Sequence, residues 1–154
     1  MSLLIWNDSY SVRNDTIDEQ HRILFDIFNK LHLQCNNNDR ESLHEILLEL
    51  HKYTLYHFKA EEEYMGEVKY KGVIMHKIEH RYFEKRIQEV IDKESNRSAD
   101  RLRVLITFLS SWLVQHVVGE DKKIPVTPIA RSDSRSIALN SNLIIQSPAP
   151  FPVG

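Results

Sequence analysis

Proline is missing from the first 124 residues of this 154-residue chain, and all five prolines lie between positions 125 and 152. The same stretch contains only three glycines, Gly66, Gly72 and Gly119. Because both residues interrupt helices, this pattern is typical of a mostly helical domain. We therefore predict one domain over residues 1–123. A loosely ordered C-terminal extension, rich in Pro and Ser, is expected over residues 124–154, where residues 137–145 could pair as a strand.

Apolar residues recur three and four positions apart in four segments, which predicts helices at about residues 17–35, 41–65, 73–93 and 98–118. The connections, at residues 36–40, 66–72 and 94–97, are short. Short connections between long helices favour antiparallel neighbours. The predicted fold is all-α: an up-down-up-down antiparallel four-helix bundle with an N-terminal arm and the C-terminal extension. Trp6 on the arm is expected to cover one end of the bundle.

Side chains of the kind that bind metals interrupt the apolar faces of these helices. Five of the eight histidines and one glutamate fall on them: His21, His57, His76, His80, His116 and Glu61. On the second helix His57 and Glu61 are four residues apart, and the same spacing separates the two histidines of the third helix. Residues at that spacing project from one helix face, one turn apart. The other three, His32, His44 and His51, lie one residue off an apolar face and are expected to face solvent.

A single histidine in a core is usually a polar residue that has found a hydrogen-bond partner, and for His21 alone that explanation would suffice. Six such groups in one small core would each cost about 1–3 kcal/mol if left unpaired. A metal centre satisfies them together. A closed zinc site takes only four ligands, so the set is better divided between two ions, and mixed imidazole and carboxylate ligation suits iron. The acidic run at residues 61–63 is interpreted as one ligand followed by a solvated face.

Four pieces of the sequence resemble the hemerythrin family and its bacterial relatives: DEQH ending at His21, HFKAEE from His57, HKIEH from His76 to His80, and WLVQHVVGED from Trp112 to Asp121. The resemblance extends over about residues 4–123. It implies a centre of two iron ions joined by an oxo or hydroxo bridge. One ion would be held by His76, His80 and His116, and the other, with a free coordination position, by His21 and His57. Glu61 and Asp121 would bridge the two.

The second bridging carboxylate is the ligand that helix geometry supports least. Asp121 is five residues after His116, about 140° around a straight helix, whereas Glu120, at four residues, would align better. Gly119 could end the helix and redirect the chain. The resemblance favours Asp121, and geometry alone leaves Glu120 open.

The resemblance also implies an apolar pocket for dioxygen, lined by Leu24, Phe58, Trp112, Leu113 and Val117. Apolar walls exclude water and protons, which favours reversible binding. Ordinary core packing is the alternative interpretation of the same residues. Lys71 departs from the family, which commonly has proline at this loop position, and the extension after residue 123 is longer than in most relatives.

The expected function is reversible binding of dioxygen, for storage, transport or delivery, by a protein that is not an enzyme. Two alternatives stay open. One is a di-iron oxidase, peroxidase or nitric oxide-handling enzyme, and the other is an oxygen or redox sensor that acts through a partner. Enzymatic di-iron bundles use mainly carboxylates, often with a Glu-x-x-His motif, whereas this set is rich in imidazole, which favours binding.

Charge and composition argue against several other classes. The net charge of −2, without a block of like charge, is not that of a nucleic-acid-binding protein. The apolar run at residues 3–6 is too short for a signal peptide, and no stretch reaches the roughly 18 apolar residues of a spanning helix, so no membrane association is expected. A single cysteine, Cys35, excludes an internal disulfide and fits a cytoplasmic location. The sequence leaves a protein partner or oligomer undetermined.

Overall fold

The computed structural model describes residues 3–37, 40–93 and 98–127. Four long helices make up the bundle: α1 (Asp15–Asn37), α2 (Arg40–Glu67), α3 (Val73–Lys93) and α4 (Ala99–Gly119). Two short 3-10 turns flank them, an N-terminal turn at Asp8–Tyr10 and a C-terminal turn at Asp121–Lys123. Within the described ranges there is no strand, so the predicted all-α fold is confirmed. The predicted strand at residues 137–145 and the connection at residues 94–97 lie outside them.

Each helix begins and ends within two residues of its predicted bounds. The apolar spacing from which the helices were predicted also determines which face of each helix is buried. The side chain of Asn14 caps the start of α1 by accepting a hydrogen bond from the backbone N–H of Ile17 at 3.2 Å. Ser98 caps α4 in the same way, accepting from Arg101 at 3.4 Å. Between α2 and α3, Lys69 adopts a left-handed backbone conformation with φ of 54°, which reverses the chain.

Packing between the helices follows the up-down-up-down order. Helix α1 packs against α2 and α4, α2 packs against α3, and α3 packs against α4. The apolar faces meet in one core, with side chains from all four helices that are at most 1% exposed: Leu24, Phe28, Leu47, Phe83 and Leu109. The polar side chains of the same faces lie beyond this core, toward the end of the bundle where α2 connects to α3.

The N-terminal arm lies along α1. The side chain of Asn29 clamps it by accepting from the backbone N–H of Leu4 at 2.8 Å and donating to its carbonyl at 2.9 Å. Trp6 packs on Phe25, with ring centroids 5.8 Å apart, and lies 6.4 Å from the ring of His21. The arm therefore shields one of the predicted ligands from solvent.

Helix α4 is more apolar than expected. By length and composition alone, Asp100–Lys123 could cross a membrane, and it is the single such helix in the part of the chain that the structure describes. The sequence contains no unbroken apolar run of spanning length, and for that reason no spanning helix was expected. Helix α4 instead mixes strongly apolar residues with a few polar ones. Its buried residues Leu102, Ile106 and Leu109 pack in the bundle core, and core helices of soluble proteins have the same composition. The helix is therefore weak evidence for a membrane.

Three histidines expected to face solvent are half-buried instead, so that prediction was wrong. They are His32, His44 and His51. A residue next to an apolar face is rotated by only about 100° from it. Its side chain therefore lies along the flank of the helix, between the buried face and the fully exposed one.

Candidate metal centre

Seven buried side chains converge at one end of the bundle core. All are at most 3% exposed: His21, His57, Glu61, His76, His80, His116 and Asp121. They come from all four helices and the C-terminal turn, and they are the seven positions predicted as metal ligands. The structure therefore brings the complete predicted set together.

The seven side chains form two overlapping groups. The donor atoms of each group lie within 4.8 Å of one another. One group contains three histidines and the other two, and both contain the same two carboxylates, Glu61 and Asp121. A carboxylate has two oxygens, so each of these side chains can serve both groups. The cluster is able to bind metal.

The three-histidine group is closely packed around its Nε2 atoms. The Nε2 atom of His116 lies 3.1 Å from that of His80 and 3.1 Å from that of His76. In an octahedron with bonds of about 2.1 Å, neighbouring ligand atoms are about 3.0 Å apart. The spacing of these nitrogens therefore matches adjacent corners of an octahedral site more closely than the wider spacing of a tetrahedral one.

The two-histidine group lies between α1 and α2. The rings of His21 and His57 have centroids 4.8 Å apart and meet edge to face, at 71°. Asp121 Oδ2 lies 3.2 Å from His21 Nε2. This half of the cluster has one imidazole fewer than the other.

Several buried atoms in the cluster have no hydrogen-bond partner in the described part of the chain. They are both ring nitrogens of His21, Nε2 of His57, Nδ1 of His76, Oε1 of Glu61 and both carboxylate oxygens of Asp121. Oxygen and nitrogen approach to 3.0–3.2 Å around Asp121, but without the alignment of a hydrogen bond. Buried polar atoms are nearly always paired. Several unpaired polar side chains within one core fit metal ions that would accept a lone pair from each histidine and carboxylate.

The end of α4 decides which carboxylate reaches the cluster. The helix ends at Gly119, and the separate C-terminal turn follows, so the rotation expected for a straight helix does not apply. Asp121 is 1% exposed, with Oδ1 3.0 Å from His116 Nε2. Glu120 points away and pairs with Lys123 at 2.6 Å. Helix geometry alone left Glu120 open, whereas the resemblance favoured Asp121, and Asp121 is the carboxylate that lies in the cluster.

Three further residues contact the outer nitrogens of the histidines, and sequence reasoning missed all of them. Gln20 Oε1 lies 2.9 Å from Nδ1 of His57. Glu62 Oε1 lies 3.1 Å from Nδ1 of His80, and Glu79 Oε2 lies 2.9 Å from Nδ1 of His116. An acceptor on Nδ1 keeps the proton there and leaves the lone pair of Nε2 free to bind a metal.

Glu62 also corrects the interpretation of the acidic run as one ligand followed by a solvated face. Its side chain is only 12% exposed and pairs with Arg81 at 2.7 Å as well as with His80. Each of the three missed residues is adjacent in sequence to a predicted ligand but contacts a histidine on another helix. No local pattern could have identified them.

Aromatic rings stack on the three-histidine group. Phe58 lies flat on His80, with centroids 3.7 Å apart and planes at 2°. Trp112 lies flat on His116 at 4.5 Å, and its other neighbour is Phe83 at 4.3 Å. The remaining predicted pocket residues, Leu24, Leu113 and Val117, are at most 1% exposed and belong to the apolar core.

The ring of Tyr70 covers the cluster from the connection between α2 and α3. It meets His76 edge to face, with centroids 6.3 Å apart. Gly72 makes this position possible, since a Cβ atom there would lie 2.5 Å from the Tyr70 ring. Lys71, which stands where the family commonly has proline, is exposed.

Electrostatics keep the carboxylates of the cluster ionised in the metal-free protein. Burial and the nearby Asp121 would raise the pKa of Glu61, but hydrogen bonds with His76 and His80 lower it to about 2. Burial would likewise raise the pKa of Asp121, but the His116 charge and the close ring nitrogens of His116, His21 and His76 hold it well below its usual value. Both side chains are therefore in the form that binds cations.

The histidines divide into different protonation states. Burial and the neighbouring His21 lower the pKa of His57 to about 3, so its imidazole is neutral. Burial would also lower the pKa of His76, but Asp121 and Glu61 outweigh burial and raise it to about 10. His76 must therefore release a proton before it can bind a metal.

The chain matches the family model described as "Hemerythrin HHE cation binding domain" over residues 12–124. A bacteriohemerythrin of Stenotrophomonas maltophilia is 36% identical over 124 residues, covering 79% of each chain. A bacteriohemerythrin of Clostridium acetobutylicum is 29% identical over 126 residues, covering 79% of this chain and 98% of that one.

A crystal structure of wild-type hemerythrin superimposes with a TM-score of 0.72 at 28% sequence identity, covering 79% of this chain and 94% of that chain. Together with the family match and the arrangement of the seven buried side chains, this likeness shows that the chain belongs to the hemerythrin family.

Proposed function

We propose that this chain binds dioxygen reversibly at a non-haem di-iron centre, for storage, transport or delivery. The observation that carries the proposal is the asymmetry of the cluster, in which two shared carboxylates join a group of three histidines to a group of two. An unequal ligand set leaves one ion with a position for an external molecule.

In this proposal the ligands divide as the two groups do. His76, His80 and His116 would hold one iron, His21 and His57 would hold the other, and Glu61 and Asp121 would contribute an oxygen to each. When bound in its reduced form, the iron pair would supply the electrons for binding dioxygen.

The protein's own side chains would hold this ligand set in position and exclude water from it. Gln20, Glu62 and Glu79 accept from the outer nitrogens of three histidines and fix the direction of their inner lone pairs. Phe58 and Trp112 stack on two of the rings and restrict their rotation. With fixed ligands, little reorganisation is needed when a small molecule binds or leaves.

The predicted pocket residues would separate the binding position from solvent. Leu24, Phe58, Leu113 and Val117 are at most 1% exposed, and Trp112 is half-buried. Bound oxygen loses reversibility when protons and water reach it, so an apolar surrounding favours release of the intact molecule. This supports a carrier over an oxidase or peroxidase.

We further propose that the protein acts in the cytoplasm, without nucleic acid or membrane as a partner, and that residues 1–123 form its functional domain.

An absorption spectrum with metal analysis tests the proposal. Purified protein is expected to contain close to two irons per chain. The reduced protein should gain a visible absorption band in air and lose it again when oxygen is removed, over repeated cycles. One zinc per chain and no iron would contradict the di-iron centre. Rapid bleaching coupled to consumption of a reducing substrate would favour the oxidase or peroxidase alternative.

A further inference from the structure

A layer of four buried residues lies directly inside the metal cluster. Each is three positions from a histidine of the cluster. On α1 and α3 the residue follows the histidine, and on α2 and α4 it precedes it, because neighbouring helices run in opposite directions. The four are Leu24, Thr54, Phe83 and Leu113, and all are at most 1% exposed. Residues three apart on a helix are neighbours on one face, about 5–6 Å between Cβ atoms. The layer is therefore the wall that a ligand in the cluster would contact on its inner side.

Thr54 is the one polar residue of this layer. Its hydroxyl, Oγ1, is buried and has no hydrogen-bond partner in the described part of the chain. A threonine within a helix can donate to the carbonyl four residues before it, here that of Leu50, but this bond is not formed. A buried hydroxyl without a partner destabilises a fold, so its presence among apolar neighbours requires an explanation.

The position of Thr54 relates it to the two-histidine half of the cluster. It lies on α2 one turn before His57, and its counterpart in the layer on α1 is Leu24, one turn after His21. The other two members of the layer, on α3 and α4, adjoin the three-histidine half. The free hydroxyl thus lies on the side of the pocket where the ligand set is smaller.

We propose that Thr54 Oγ1 donates a hydrogen bond to the small molecule that occupies the two-histidine half. The ligand class is a small molecule or anion with an exposed acceptor atom, dioxygen in function and azide as its inorganic probe. The inference deepens the proposed function and rests on it. It makes Thr54 a specificity-determining residue, since a ligand without an acceptor atom gains nothing from the hydroxyl.

Thr54→Val tests the inference, because valine keeps the β-branched shape and removes only the hydroxyl. In the iron-loaded protein, azide is expected to bind roughly 3- to 10-fold more weakly, and dioxygen to leave faster by a similar factor. Thr54→Ser, which keeps the hydroxyl, should remain within about twofold of the unchanged protein. Thr16→Val, at an exposed position of α1, controls for the substitution itself.

Thermal unfolding of the metal-free protein provides a second readout. Removing an unpaired hydroxyl should leave the Tm of Thr54→Val unchanged or raise it by a few degrees. A Tm lowered by several degrees would show that Oγ1 bonds within the protein, and would overturn the inference. Unchanged azide affinity and oxygen release in Thr54→Val would also overturn it.

These outcomes separate the inference from the proposed function. If the iron-loaded protein binds azide in a Thr54-dependent way but never binds dioxygen reversibly, the carrier function is wrong and the role of Thr54 stands. If oxygen binding is reversible and indifferent to Thr54→Val, the carrier function stands and this inference fails.

Discussion

Asp121 Oδ2 lies 3.2 Å from His21 Nε2, which joins the turn after the last helix to the first long helix. Oδ1 of the same carboxylate lies 3.0 Å from His116 Nε2, so one side chain spans both histidine groups. The same residue therefore connects the last helix to the first and completes both histidine groups. A metal centre built this way ties the C-terminal turn to α1.

Substitution of the spanning carboxylate is expected to reduce metal binding. Asp121→Ala should lower the iron content from about two to one or fewer per chain, because both ions would lose an oxygen ligand. Elemental analysis of the purified protein measures this directly. Glu120→Ala is the matched control, since Glu120 pairs with Lys123 outside the cluster, and its iron content should stay at the level of the unchanged protein. Iron loss in the Glu120 variant alone would reverse the ligand assignment.

Loss of one imidazole from the two-histidine group should abolish oxygen binding. His57→Ala leaves His21 as the only histidine of that group, so iron content should fall toward one per chain and the oxygen-dependent absorption band should vanish. His44→Ala, on the same helix but half-buried outside the cluster, should leave both nearly unchanged. Equal damage from the two substitutions would mean that the cluster does not bind the metal.

The two glycines at the end of α2 and in the following connection should respond in opposite directions to alanine. At Gly72 the new Cβ would lie 2.5 Å from the Tyr70 ring, so displacement of that ring should cost about 1–3 kcal/mol of unfolding free energy. At Gly66, a helical position with nothing within 4 Å, alanine should stabilise by about 0.5–1 kcal/mol. Urea unfolding of the metal-free variants measures both. Equal effects would show that Tyr70 does not lie against Gly72.

The stability of the metal-free protein should be greatest near pH 6.5 and fall on both sides. His57 has a pKa lowered from 6.5 to about 3, so the unfolded chain binds its proton more tightly and stability is lost as pH falls from 6.5 toward 3. His76 has a pKa raised from 6.5 to about 10, so its contribution is present below pH 6.5 and is lost as pH rises toward 10.

Urea unfolding between pH 4 and pH 9.5 in the presence of a chelator measures this profile. His76→Gln should reduce the loss of stability on the alkaline side without abolishing it, because it removes one of the two histidines whose pKa is raised, His76 and His116. Stability that keeps rising from pH 6.5 to pH 9.5 would contradict the assignment of a proton to His76.

The helices and most of the cluster could be predicted from the sequence because both depend on spacing along one helix. The rotation per residue is set by the backbone, so apolar residues three and four apart identify a buried face. The histidines of the cluster, and Glu61 on α2, lie on those faces and could be recognised from their positions alone. Phe58 and Trp112 could be assigned to the neighbourhood of the site, but their ring contacts could not, and neither could the position of Trp6 beside His21.

Tertiary structure decided which atoms meet. Gln20, Glu62 and Glu79 contact histidines of other helices, and those contacts depend on how neighbouring helices are shifted and rotated against each other. The choice of Asp121 over Glu120 depended on where α4 ends, and the unpaired hydroxyl of Thr54 becomes evident only when its surroundings are known. Spacing within a helix is local and is encoded residue by residue, whereas distances between helices arise only when all four pack around a common core.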